Sequence, residues 1–94
     1  MSENENFVNL RVSGKSDPKK VSGAMCRYIA EGNKVVLTAI GASAVSQAVK
    51  SLAIARGIMA CGANELTFKV GFHDEMINDR KKTAMRFYPL ISEG

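Results

Sequence analysis

Hydrophobic and polar positions change period several times along the chain. Val8, Leu10 and Val12 alternate with Asn9, Arg11 and Ser13, so residues 7–13 read as a strand with one buried and one polar face. Val21, Ala24, Met25, Tyr28 and Ile29 then recur at helical spacing and make one amphipathic stripe. Asp17 suits the N-cap, Pro18 the first helical position and Gly32 the stop. "KVVLTAI" (34–40) is almost wholly apolar and β-branched, which predicts a central strand buried on both faces. Gly41 breaks it, and Ser43 is the expected cap of a second helix running to about Ala60. "CGAN" (61–64) reads as a turn. Leu66, Phe68, Val70 and Phe72 alternate with Thr67, Lys69, Gly71 and His73, again a strand. "NDRKK" (78–82) reads as a hairpin tip, and Thr83 to Ile91 as the last strand. Pro89 near its end suggests a sheet edge or a strand finishing. Residues 1–6 and 92–94 are expected to be tails, the first disordered, around a single domain over 7–91.

The resulting order is strand, helix, strand, helix, strand, strand. Strands joined through helices run parallel by right-handed crossovers, and the last two form an antiparallel hairpin. The predicted fold is therefore an α/β (α+β sandwich) domain of βαβαββ order, with a four-stranded mixed sheet and two helices on one face. The second helix carries two apolar stripes. One is Val45, Val49, Leu52 and Met59; the other is Ala44, Ser51, Ala55 and Ile58, with Ile54 beside it. One sheet needs only one stripe. The second stripe either packs on the first helix or meets a second copy of the chain, and in the latter case Ser51, Ile54, Ala55 and Ile58 form a homodimer interface. Arg56 falls within the first stripe, where a structural role is expected, by pairing or by snorkelling to the edge.

Composition narrows the chemistry. The 94 residues are 46% hydrophobic and 23% charged with a net charge of +4, an ordinary folded domain with a mild preference for polyanions. No apolar run is long enough to span a membrane. The start "MSENENFVN" lacks the features of a signal peptide, so a cytoplasmic location is expected, nucleoid-associated in a bacterium. Cys26 and Cys61 form no C-x-x-C motif, and His73 with Glu75 does not complete a metal site. No nucleophile–base pair or carboxylate pair is readable. Neither an enzyme, a cofactor, a metal nor a small-molecule substrate is expected. "GKS" (14–16) resembles the end of a P-loop, but the glycine required five residues earlier is Asn9.

The lysines around that segment point elsewhere. Lys19 and Lys20 occupy the first turn of the first helix, where the dipole disfavours cations by roughly 0.3–1 kcal/mol each. An anion there reverses the balance by accepting helix N–H groups and the charge of Lys15, Lys19 and Lys20; otherwise the segment is a solvated basic turn. Gly41 lets a backbone approach closely, and Ser43 and Ser46 can donate to phosphate oxygens, although capping by Ser43 is the simpler role. Arg80, Lys81 and Lys82 either reach a nucleic-acid groove or remain solvated. The polar sheet face holds Arg11, Lys69, Arg86 and Tyr88. With Tyr88 its one aromatic, recognition by base stacking is not expected, and contacts should be to backbone and shape.

Two segments also carry a family resemblance. "RVSGKSDPKKVSGAM" and "AIGASAVSQAVKSLAIARGIM" resemble the stage V sporulation protein S family. The second is the more specific, through Ala39-Ile40-Gly41-Ala42, Gln47-Ala48-Val49-Lys50 and Ala53-Ile54-Ala55-Arg56-Gly57. The likeness runs from about Leu10 to Leu90. That family looks related in fold to the Alba proteins, dimers that bind DNA or RNA, and is thought to act in developmental regulation. The resemblance implies nucleic-acid contacts from Lys15, Ser16, Lys19 and Lys20 after the first strand, from the Gly41–Ser43 turn, and from Arg80, Lys81 and Lys82 in the hairpin. Alba proteins place an arginine after the glycine of that turn and carry a long basic hairpin; here Ala42 and Ser43 follow Gly41, and a short hairpin is expected. The function expected is backbone binding of DNA or RNA by a homodimer. The alternative is a protein-interaction or regulatory scaffold of the same fold.

Overall fold

The computed structural model describes residues 7–93. The expected tail at 1–6 lies outside them, as does Gly94. The elements are β1 (Phe7–Val12), α1 (Pro18–Ala30), β2 (Lys34–Ala39), α2 (Ala42–Cys61), β3 (Asn64–Ile77) and β4 (Arg80–Glu93). They form one four-stranded sheet in the order β1-β2-β4-β3, with β1 and β2 parallel and the other pairings antiparallel.

Each predicted element is present. α1 begins as expected, with Asp17 accepting a hydrogen bond from the Lys19 N–H at 3.0 Å and Pro18 at the first turn. It ends at Gly32, whose φ of 89° takes the left-handed region, and the Asn33 N–H closes back on the Tyr28 carbonyl. β2 is buried throughout after Lys34. Leu37 and Met25, both fully buried, lie at the centre of a core completed by Val12, Leu52, Leu66 and Phe87. Both helices pack on the same side of the sheet.

Several boundaries differ from expectation. The hairpin tip is not 78–82 but the two residues Asn78 and Asp79, both with positive φ. That is the backbone of a tight hairpin turn, whose twist matches the flanking strands. Arg80, Lys81 and Lys82 are consequently strand residues, opposite Ile77, Met76 and Glu75. β4 continues to Glu93, so Ser92 and Glu93 belong to the strand and not to a tail. The hairpin arms are 14 residues each, not short. Pro89 does not mark an edge, because β4 lies between β2 and β3. Its place is explained by the β2–β4 ladder, which pairs only Leu37, Thr38 and Ala39 with Phe87, Arg86 and Met85. Where Pro89 would have to donate to β2, the two strands no longer pair.

α2 resolves the question of its two stripes. Ala44, Ala48, Ser51, Leu52 and Ala55 are its buried residues. Ser51 and Ala55 therefore belong to the chain's own core and cannot form a surface for a second copy. Their small side chains let α2 approach its neighbours closely, and the Ser51 hydroxyl is satisfied by the Gln47 carbonyl at 2.8 Å. Val49 and Ile58 are exposed, and Ile54 is half-buried. Arg56 is exposed, so it presents no buried charge.

Candidate functional site

One end of the sheet gathers the segments singled out in the sequence. β1 and β2 both finish there, and α1 and α2 both start there. The β3–β4 hairpin projects past the end of β2, because β4 continues from Met85 back to Arg80 beyond the last paired residue, Ala39. Lys15, Lys19, Lys20, Gly41, Ser43 and the Arg80–Lys82 arm thus share one end of the molecule, although up to 67 positions separate them in the chain.

The loop after β1 is closed by hydrogen bonds of its own. The Ser16 N–H donates to the Ser13 carbonyl (3.1 Å), the Ser13 N–H to Ser16 Oγ (2.9 Å) and the Lys15 N–H to Ser13 Oγ (3.1 Å). These N–H groups point inward, so the loop is not a phosphate cradle of the P-loop kind. Its side chains face out: Lys15 is exposed. Two contacts seat the loop on α2. Gln47 Nε2 donates to the Ser16 carbonyl at 2.8 Å, and Gly14 lies directly against Ser43. A Cβ on Gly14 would overlap Ser43 Oγ and stand 3.0 Å from Ser43 Cβ. Glycine is needed at 14 for this close approach.

Ser43 does not cap α2. The N-cap is Gly41, with φ 92° and no side-chain cap hydrogen bond, and the Val45 N–H closes the first turn on the Gly41 carbonyl. Ser43 lies within the first turn, against Gly14. The two helix starts therefore differ. At α1, Asp17 already occupies the Lys19 N–H and Pro18 has none to offer. At the start of α2 no side chain makes a cap hydrogen bond, and the loop that carries Lys15 is seated against it through Gly14 and Ser43.

The hairpin arm is held to β1 by a long-range ion pair. Arg11 Nη2 lies 2.7 Å from both oxygens of Glu75. In a flat sheet β1 and β3 would be about 14 Å apart, three strand spacings, so the contact requires the twisted sheet to bring the arm over its helix-free face. Arg11 passes over Thr38, which is buried and donates to Asn9 Oδ1 at 2.8 Å. The Arg11 hydrogen bond holds the Glu75 carboxyl below its ordinary pKa, aided by the charges of Arg11, His73 and Arg86 and partly opposed by burial. His73 Nε2 is 3.7 Å from Glu75. Lys81 lies 3.7 Å from Asp74, both exposed. Lys15, Lys19, Lys20, Arg80 and Lys82 make no ion pair among the described residues. A 300 Å³ hollow lined by Arg11, Ser13, Gly14 and Thr38 opens at the same end.

A second surface was not visible in the sequence. Phe68, Val70 and Phe72 lie on the helix-facing side of the edge strand β3, yet are 41%, 49% and 80% exposed. α2 covers that side at Leu66 and progressively less beyond it. Among the described residues no group of His, Cys, Asp and Glu could hold a metal ion, and no helix is long and apolar enough to cross a membrane.

This arrangement of two helices on a β1-β2-β4-β3 sheet is the Alba-like fold. The structure superposes on Alba from Thermoplasma volcanium with a TM-score of 0.57, covering 92% of this chain and 100% of that one at 15% identity. Residues 8–90 match the stage V sporulation protein S (SpoVS) family, and the chain belongs to that family.

Proposed function

We propose that the protein binds the backbone of DNA or RNA with little sequence preference, as a homodimer, in a regulatory role of the sporulation type. The observation that carries this reading is the convergence at one end of the sheet. The loop carrying the exposed Lys15 is seated on the uncapped start of α2, and Lys19, Lys20 and the Arg80–Lys82 arm are exposed at the same end of the sheet. A phosphate there accepts N–H groups at Gly41–Ser43 and the charge of Lys15. The likeness to Alba proteins supports the same reading. Binding is mainly electrostatic, since few groups at this end can read base edges.

The dimer surface follows from exposure. Ser51 and Ala55 are spent in the core, so the second copy covers Ile58 and Ile54 together with Phe68, Val70 and Phe72. An exposed row of this kind on an edge strand is otherwise a site of uncontrolled pairing. The same row favours the second reading, a scaffold whose partner is another protein.

Fluorescence anisotropy of labelled duplex DNA, single-stranded DNA and RNA at several salt concentrations tests the first reading. Affinity is expected to fall linearly in log salt, with a slope reporting the phosphates neutralised. Lys15→Ala/Lys19→Ala/Lys20→Ala should flatten that slope and weaken binding. No binding at low salt would reject it in favour of the scaffold. Sedimentation of wild type and Phe72→Asp should give a dimer and a monomer; a wild-type monomer across the micromolar range removes the dimer.

A further inference from the structure

We infer that the helix-free face of the sheet holds a slot for an unpaired nucleobase, walled by Phe7 and Tyr88. The inference rests on the nucleic-acid reading above and adds to it a further contact made by single strands alone. It begins from the gap between β2 and β4. Continued past Leu37–Phe87, the register would set Val36 against Tyr88 and Val35 against Pro89, but the ladder stops. A 540 Å³ cavity opens in this gap between Lys34–Val35 and Tyr88–Ile91 and reaches through to the end of α1 at Ile29, Gly32 and Asn33, within the range of small-molecule sites. Beside it a 260 Å³ hollow lies over Asn9, Val36 and Arg86. Phe7 and Tyr88 line both.

The face is thus not as poor in aromatics as the sequence suggests. Phe7, the first residue of β1, joins Tyr88, and it is 57% exposed. Lys34 Nζ lies 5.9 Å from its ring centre. Lys69, opposite Tyr88 in the β3–β4 ladder, lines the larger cavity. Arg86 lines this hollow, and its buried Nε has no hydrogen-bond partner among the described residues. Native structures contain few such groups, and each calls for an explanation.

An unpaired base fits this lining: it offers a π-face to Phe7 and Tyr88, an acceptor edge to the Arg86 side chain at the hollow, and a flanking phosphate to Lys69. A duplex hides the π-faces of its bases in the stack. A saturated amphiphile has neither face nor acceptor edge at the ring position. One slot carries no sequence code, so the selectivity is for strandedness.

The test uses the full chain, a single strand containing 2-aminopurine, and a hairpin duplex of the same composition. The single strand should show a 2-aminopurine emission change on binding. Tyr88→Leu and Phe7→Leu should each weaken single-strand binding roughly 5- to 150-fold and leave duplex binding unchanged, while Tyr88→Phe stays near wild type. Wild-type single-strand affinity in both leucine variants overturns the slot, and the backbone reading survives if the triple lysine variant still loses duplex binding. Loss of binding to every nucleic acid overturns both. Should a leucine variant unfold, uridine 5′-monophosphate titrated into wild type by NMR decides: shifts at the Phe7 and Tyr88 rings support the slot, and shifts confined to 15–20 and 80–82 overturn it.

Discussion

Replacing Gly14 by alanine probes the joint that positions Lys15 over α2. The new Cβ would overlap Ser43 Oγ and stand 3.0 Å from Ser43 Cβ. Rotating the Ser43 side chain clears its hydroxyl, at about 0.5–1.5 kcal/mol if a non-rotameric angle is forced. The Cβ–Cβ crowding persists, because Ser43 Cβ is fixed to the helix backbone. Overpacking typically costs about 1–3 kcal/mol. An exposed loop with one crowded neighbour belongs in the lower half, so we expect about 1–2 kcal/mol, or a melting temperature lower by roughly 4–16 °C for a domain of this size. The assay is urea unfolding at fixed protein concentration, read as a fall in midpoint at unchanged slope. Ser43→Gly removes both opposing atoms, and its own helix penalty of about 0.5 kcal/mol cancels in a double-mutant cycle. The coupling between positions 14 and 43 should recover nearly the whole cost of Gly14→Ala. Single-strand and duplex affinity should both fall in Gly14→Ala, since Lys15 is displaced from the Gly41–Ser43 turn. A Gly14→Ala protein as stable as wild type, or equally destabilised when Ser43 is glycine, would refute the seated-loop account.

Other outcomes follow from single features. Leu52→Ala, at a fully buried position in the core, should destabilise by roughly 2–5 kcal/mol in the same urea assay. Gly57 sits inside α2 with open space around an added Cβ, so Gly57→Ala should stabilise by about 0.5–1 kcal/mol. Glu75 has a folded pKa below its ordinary value of 4.5, chiefly through the Arg11 hydrogen bond. Its contribution is therefore complete above about that pH and is lost as pH falls through the lowered folded value. Arg11→Ala should be less stable than wild type at neutral pH, and the difference should shrink on acidification; a difference independent of pH would count against the pair. Burial raises the Cys26 thiol pKa while Cys61 is exposed, so a thiol reagent at pH 8 should modify Cys61 first, and Cys61→Ser should remove the fast phase.

Element order is legible from local patterns alone. Alternation in β1 and β3, the i, i+4 stripe of α1 and the apolar run of β2 are local signals, and each reports a burial pattern imposed on successive residues. Asp17, Pro18 and Gly32 worked as end markers because capping acts within a few positions. The same locality made residues 15–20, 41–43 and 80–82 legible as candidates. Asn78-Asp79 does not mark its turn in the sequence, because it lacks the glycine that usually announces two positive φ values. A serine two residues past a glycine looks like a cap, and the Gly14 contact that places Ser43 comes from the loop after β1, far away in the chain.

Long-range packing settles what those local patterns leave open. Sheet order placed β4 between β2 and β3, which turned Pro89 from an edge marker into the reason for an opening within the sheet. The twist brought Glu75 to Arg11 across 64 positions of sequence. Packing of α2 chose Ser51 and Ala55 for the core and left the apolar residues of β3 uncovered. Hydropathy states that a residue prefers burial, but not which of two neighbours will cover it. That choice depends on how far each helix extends along the sheet, and the order and lengths of all four strands fix it together.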